Sequence, residues 1–300
     1  MTPWWRRELG APVENAPAPS ITLEFPDCVA REFPALFDAA WSATEQVVSR
    51  LDGAELDPLG RRSPGLQGYD WRGYLRYSVV RVVRALDRLS DVSTGGRVLD
   101  VGAYFGNFSL AASMRGFEVD ALDSYAAYAG AFGPWIDMLR GAGVRVIDFA
   151  QAGFDLHGIA DEVYDGALVM GVIEHVPHSP RALLQAIRRV LKPGGTIVVD
   201  TPNIAYAYHR ERLARGESIM APLASQFDCE PPFEGHHREY TMGEVDWMLR
   251  RVGFDRVALD AFNYSMYGLE SIGGDDLRLY HEMQADPSRR EVILASAVRP

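Results

Sequence analysis

Two strand-ending acids, a pair of glycines and a Glu-His step carry most of the chemistry open to this chain. Residues 97–109 read RVLDVGAYFGNFS. An apolar run that breaks at a glycine and resumes as a helix is a strand–turn–helix pattern. Gly102 and Gly106 let the backbone pass close to a bound ligand. The helix start offers free N–H groups, and Asp100 stands at the strand end, able to accept from a cationic ligand group. Further on, FEVDALD ends in Asp123, about twenty residues after Gly102, where an acid takes the hydroxyls of a ribose. The pattern points to a nucleoside pocket.

The loop Gly102-Ala103-Tyr104-Phe105-Gly106 has two glycines four apart. It lacks the third glycine of a dinucleotide fingerprint and the Gly-Lys-Ser/Thr of a phosphate loop, so the case for a pyrophosphate is weak. Downstream, the apolar run 162–170 leads into Gly171-Val172-Ile173-Glu174-His175. An imidazole there can take a proton from a hydroxyl at neutral pH; equally, the Glu174–His175 step can pack the sheet edge and line the pocket. Residues 203–240 form a long insertion holding His209, His236, His237 and Arg238. Such an insertion is usually functional or mobile, and it is expected to form the substrate side. One of His236 and His237 can reach the pocket, His209 is another base, and Arg238 suits an anionic group. His209, Glu234, His236 and His237 match no metal spacing, so no metal is expected. Tyr69 and Trp71, beside a Gly-rich loop, offer faces to a sugar or planar acceptor.

The elements that must position these residues alternate strand and helix, the mark of a parallel sheet with helices on both faces. Strands are expected near 97–101, 117–122, 144–149, 163–170, 195–200, 255–262 and 291–298. Helices are expected over 28–51, 74–89 and 181–191. Thr241-Met242-Gly243-Glu244 is a capping-box pattern and predicts a helix to about Arg251. Residues 1–92 read as an N-terminal helical segment and 93–300 as the ligand-binding core.

From residue 95 onward the chain resembles the class I S-adenosylmethionine-dependent methyltransferases. The resemblance rests on VLDVGAYFGNFS, FEVDALD, YDGALVMGVIEHV, RRVLKPGGTIVVDTPN and HHREYTMGEVDWMLRRVGF, which stand in the family's order and spacing. It is nearest the branch acting on small molecules. It implies a Rossmann-like seven-stranded α/β sheet with the last strand antiparallel and an N-terminal helical cap over the cofactor. It implies S-adenosyl-L-methionine as cofactor. Asp100 and Gly102 would meet the methionine end, with Ala103, Tyr104 and Gly106 also cofactor-binding, Asp123 would take the ribose, and Tyr125 would flank the adenine. Asp148 and Gln151 compete for the adenine amine. Tyr104 replaces the family's usual glycine and is expected to narrow the loop or stack near the ligand. The implied reaction is methyl transfer to an O or N of a sugar, glycan precursor or secondary metabolite, with His175, Glu174 and His237 as catalytic candidates. A non-catalytic scaffold and a protein- or RNA-directed enzyme are the rival readings.

Composition bounds the partners. The net charge is −11, which disfavours a sequence-independent grip on nucleic acid. No apolar run approaches the ~20 residues of a membrane span, so no membrane partner is expected. Met1–Arg7 lack a signal-peptide core, and Cys28 and Cys229 are the only cysteines, which fits a reducing cytoplasm. Homo-oligomerisation is left open.

Overall fold

A computed structural model describes residues 19–52, 69–128, 130–149, 155–229 and 233–300. Seven strands form one sheet: β1 (Arg97–Val101), β2 (Glu118–Asp123), β3 (Arg145–Asp148), β4 (Tyr164–Met170), β5 (Leu191–Pro202), β6 (Asp255–Phe262) and β7 (Val292–Val298). Their order is β3-β2-β1-β4-β5-β7-β6, and only β7 runs antiparallel to its neighbours. The strand order reverses between β1 and β4, and ligands of open α/β sheets bind at the carboxyl end of such a switch point.

The central strands read as continuous apolar runs because both faces are covered. In β1 only Arg97 is not buried, and Val98, Leu99 and Val101 alternate between two clusters. One face packs against α1 (Phe37–Val48), α3 (Val79–Arg88), α4 (Asn107–Met114) and α5 (Gly133–Gly141). The other packs against α6 (Arg181–Val190) and α8 (Met242–Arg251). Amphipathic spacing explains these choices: α6 buries Leu183, Leu184, Ala186, Ile187 and Val190 and leaves the rest outward.

Several expectations change in detail. The helix read over 28–51 is two, Asp27–Glu32 and α1, because Pro34 between them lacks the N–H a continuous helix needs. The helix read over 74–89 starts earlier and breaks at Ser78, into α2 (Trp71–Tyr77) and α3. Asp70 caps α2 by accepting from the Gly73 amide at 3.0 Å. α1 and α3 share one hydrophobic cluster with α4 and α5, and the Trp135 indole N–H of α5 donates to the Val47 carbonyl at 3.1 Å. These helices thus complete a helical layer on the sheet face, and α2 extends toward the β1 loop.

The insertion 203–240 is less irregular than its composition suggests. It carries α7 (Ala207–Ala214) and a short helix, Leu223–Phe227. β6 and β7 are not a tight hairpin, since α9 (Gly274–Ala285) stands between them. α7 and α9 pack together, and the Tyr208 hydroxyl donates to Asp276 at 2.9 Å. Thr241 and Glu244 form the expected capping box at the start of α8. Residues 1–18, 53–68, 129, 150–154 and 230–232 lie outside the described residues, and with them Gln151.

Candidate functional site

The carboxyl ends of β1, β2 and β3 present Asp100, Asp123 and Asp148, with Asp123 and Asp148 directly in register. Asp123 is 7% exposed. It accepts from the Tyr104 amide at 2.7 Å and the Ser124 amide at 2.6 Å. Burial pushes its pKa up to about 6 despite those two donors. Two lone pairs remain for a ligand's hydroxyls. The Asp148 carboxylate accepts from the Ala126 amide at 2.6 Å, which fixes the turn Tyr125–Tyr128 beside Asp123. Within that turn Tyr125 is buried and its hydroxyl has no hydrogen-bond partner among the described residues. An orphaned buried hydroxyl next to two carboxylates is the mark of a pocket that expects a polar guest.

The glycine loop is shaped by backbone geometry. Gly102 has φ +76° and Gly106 φ +81°, both in the left-handed region. A Cβ on Gly102 would overlap Val172, and one on Gly106 would lie 2.6 Å from Leu139. Ahead of the helix start, whose amides are expected to be free, most of the loop amides are already used. Gly102 and Ala103 donate to the Leu122 carbonyl at 2.8 and 3.1 Å, Tyr104 to Asp123, and Gly106 to the Ala103 carbonyl. The loop therefore contributes shape and the placement of Asp123. Asp100 is 1% exposed and accepts from the Ser109 hydroxyl at 2.5 Å. Burial raises its pKa to about 7. Its carboxylate pins the start of α4 to the end of β1.

Tyr104 is itself left-handed, with φ +49°. Its ring sits among Phe105, Phe132, Trp71 and Tyr128, at centroid distances of 4.4, 5.1, 6.0 and 6.3 Å. This residue joins the loop to α2. Trp71 in turn meets Tyr69 edge-on at 5.0 Å, and Tyr74 and Tyr77 lead from there to Tyr264. Tyr69 and Trp71 thus belong to an aromatic wall that runs from the glycine loop to the segment after β6.

After β4 the chain turns through Ile173–His175. The Glu174 side chain is buried and accepts from the Thr201 hydroxyl at 3.0 Å. Burial raises its pKa to about 7. Its carbonyl accepts from the His237 amide at 2.8 Å, which ties the insertion's end to this turn. His175 donates from Nδ1 to the Glu234 carbonyl at 2.7 Å, and its ring meets His236 edge-on at 4.8 Å. Burial of the imidazole and the neighbouring His236 lower the His175 pKa to about 4, although the residue as a whole is exposed. His236 donates from Nδ1 to Glu239 at 2.9 Å. Burial would lower its pKa, but the Glu239 hydrogen bond and the Glu174 and Glu239 charges outweigh it and raise the pKa. The other Glu239 oxygen lies 3.7 Å from His209 Nδ1.

The fold brings Glu174, His175, His236 and His209 into one polar chain. It does not bring in the other two candidates. The His237 ring turns to the Phe233 carbonyl, 3.1 Å from Nε2. Arg238 is exposed, pairs with Glu244 at 2.5 Å and lies over Tyr240. Both anchor the loop before α8. Three residues that sequence reading passed over lie against these groups: Arg81, whose Nη2 is 2.9 Å from where a Cβ on Gly171 would stand, Asp200, which pairs with it, and Glu239. Arg81 interrupts the valine run of α3, and Asp200 is a strand-ending acid like Asp123; both signals were legible. Glu239 is legible only once folding sets it between two histidines.

A methyltransferase-domain family model matches residues 72–259. A ubiquinone biosynthesis O-methyltransferase of Xanthomonas euvesicatoria pv. vesicatoria is 34% identical over 220 residues, covering 71% of this chain and 82% of the relative. Its counterpart in Xylella fastidiosa is 35% identical over 132 residues, 43% of this chain and 51% of the relative. The chain thus spans about half the length of the first curated relatives it matches. Among solved structures, phosphoethanolamine N-methyltransferase 2 of Haemonchus contortus was determined with phosphomonomethylethanolamine and S-adenosylhomocysteine. It superposes with a TM-score of 0.51 at 15% identity, over 82% of this chain and 59% of that one. At that identity the likeness concerns the fold.

Proposed function

Because this chain belongs to the class I S-adenosylmethionine-dependent methyltransferase family, we propose that it methylates a hydroxyl oxygen of a small, ring-bearing acceptor. The observation that carries the reading is the buried Asp123 carboxylate beside the orphaned Tyr125 hydroxyl and the left-handed Gly102. Those features fit S-adenosyl-L-methionine: Asp123 would take the ribose hydroxyls, Tyr125 and Asp148 would flank the adenine, and Gly102 would leave room for the chain. When bound, the cofactor supplies an electrophilic methyl group on a good leaving group.

The chain's own residues then have two tasks, to orient the acceptor and to remove its proton. The wall of Tyr69, Trp71, Tyr74, Tyr77 and Tyr264 offers aromatic faces to a planar or sugar ring. It is continuous with the polar turn after β4. Arg81 donates to the Tyr74 hydroxyl at 3.2 Å, and its guanidinium lies 2.9 Å and the Glu174 carboxylate 3.5 Å from where a Cβ on Gly171 would stand. An acceptor lying on the wall directs its hydroxyl toward Glu174, His175 and His236, where the proton departs. The likeness to ubiquinone biosynthesis O-methyltransferases supports oxygen over nitrogen as the acceptor atom.

The test is calorimetric titration with S-adenosylmethionine and S-adenosylhomocysteine, with NAD as control, followed by methyl transfer to phenolic, catecholic and sugar acceptors. Saturable binding of the first two and turnover on a hydroxyl compound are expected. Failure to bind either would overturn the reading in favour of a scaffold, and turnover on amines alone would overturn the choice of oxygen.

A further inference from the structure

The turn after β4 and the end of the insertion bring three metal-ligating side chains together. Glu174, His175 and His236 each have one ligand atom to offer, and those atoms lie within 4.8 Å of one another. Hydrogen bonding settles which ring nitrogens are free. A carbonyl oxygen only accepts, so His175 holds its proton on Nδ1 to reach the Glu234 carbonyl at 2.7 Å. The His236 Nδ1 donates likewise to the Glu239 carboxylate at 2.9 Å. In the neutral form of each ring the lone pair is therefore on Nε2. A histidine whose second nitrogen donates to a carbonyl or carboxylate is the usual arrangement around a metal ion, because it fixes tautomer and orientation. The third group is a buried carboxylate whose hydrogen-bond partner is a neutral hydroxyl, Thr201, on Oε2. Its other oxygen lacks a cationic partner at hydrogen-bonding distance among the described residues.

From this arrangement we propose that Glu174, His175 and His236 bind a divalent first-row transition-metal ion at the carboxyl end of β4. Two imidazoles and one carboxylate suit Zn2+, Fe2+, Mn2+ or Co2+, whereas Mg2+ and Ca2+ prefer an all-oxygen set. Ligand bonds of about 2.1 Å place donor atoms about 3–4 Å apart. Closing the wider spacing takes a small shift of the His175 ring. Three protein ligands leave coordination positions open, and His175 opens them toward solvent. There the ion would meet the acceptor hydroxyl that the proposed function directs to this cluster. A hydroxyl on such an ion loses its proton far more readily than in water. The proton then leaves to solvent, and neither imidazole has to act as the base. The spacing of His209, Glu234, His236 and His237 in sequence pointed away from a metal; the ligand set read from the fold shares only His236 with that group.

Ion binding is tested on the whole chain, stripped with chelator and free of any histidine tag, in the absence of cofactor and acceptor. Its failure therefore leaves the methyl-transfer reading untouched. Co2+ titration followed by visible absorption, and Zn2+ titration by calorimetry, should each show one equivalent bound. His175→Ala and His236→Ala should each weaken binding by about tenfold or more, with circular dichroism and melting temperature checked for each. Because His175 is exposed, its variant keeps the test sound if the His236 variant fails to fold. Millimolar Mg2+ should not displace the ion. No binding by the unmodified chain, or binding that folded His175→Ala retains in full, would overturn the proposal. The first result would leave His236 as an imidazolium held between Glu174 and Glu239. Displacement by Mg2+ would overturn the transition-metal assignment.

Discussion

Arg81 and Asp200 stand 119 residues apart in sequence and meet in the interior, where Nε and Nη2 of the arginine donate to the two carboxylate oxygens at 2.8 and 2.7 Å. The Asp200 side chain is 0% exposed and the Arg81 side chain 12%. The pair fastens α3 to the carboxyl end of β5 and holds Arg81 against Tyr74 and Tyr264. Removing one partner of a buried pair leaves an uncompensated charge and typically costs about 3–5 kcal/mol. Asp200→Ala is expected to lose stability of that order in denaturant unfolding. It should also loosen the aromatic wall, seen as a faster hydrogen exchange of α2 amides. A loss below ~1 kcal/mol would mean the pair behaves as a surface contact.

Under the proposed function, Asp123 is expected to couple cofactor affinity to pH. Replacement by alanine is expected to weaken S-adenosylhomocysteine binding by about 1–3 kcal/mol, through loss of charge-assisted hydrogen bonds. The carboxyl titrates at about 6 in the ligand-free fold because burial disfavours its charge. The ionised form accepts hydroxyl donors best, so affinity should rise as pH passes upward through 6. In Asp123→Asn that rise should vanish in calorimetry between pH 5 and 8.

The same raised pKa has a stability consequence of opposite sense. The folded ligand-free chain holds this proton more tightly than the unfolded chain, whose aspartate titrates near ~3.9. Its contribution is therefore greatest at low pH and is lost as pH rises through about 6. The stability of Asp123→Asn relative to the unmodified chain should climb between pH 4.5 and 7.5. Melting temperatures that stay in parallel over that range would contradict the assignment.

Gly102→Ala combines two costs. The backbone holds φ +76°, and the added methyl would overlap Val172. Destabilisation of at least ~1–3 kcal/mol is expected, together with loss of cofactor affinity, because β1 and the turn after β4 would have to separate. Gly143→Ala is the control: it has φ +80° and nothing within 4 Å of the new methyl, so it should show the backbone cost alone. Equal melting temperatures for the two variants would remove the packing argument.

Thr241→Ala breaks the capping box of α8, in which the Thr241 hydroxyl accepts from the Glu244 amide and Glu244 from the Thr241 amide. A loss of about 1 kcal/mol is expected with cofactor affinity unchanged. A larger loss would show that the cap also holds the His236–Tyr240 segment in place.

The sequence by itself determined the sheet and the residues at the carboxyl ends of its first strands. Strands such as Arg97–Val101 and Tyr164–Met170 are legible because a strand buried on both faces must be apolar almost throughout. Gly102 is legible because a tight turn demands one residue type at one place, and Asp123 because an acid at the end of the second strand is what the proposed ribose contact calls for. Tertiary structure decided what local pattern does not encode. It placed Glu239 between His236 and His209, set His236 beside Glu174, and turned Arg238 away to Glu244. It also turned the Gly102 and Ala103 amides onto the Leu122 carbonyl. These outcomes depend on how two distant segments dock, and hydrogen-bond partners chosen by docking leave no periodicity in the chain.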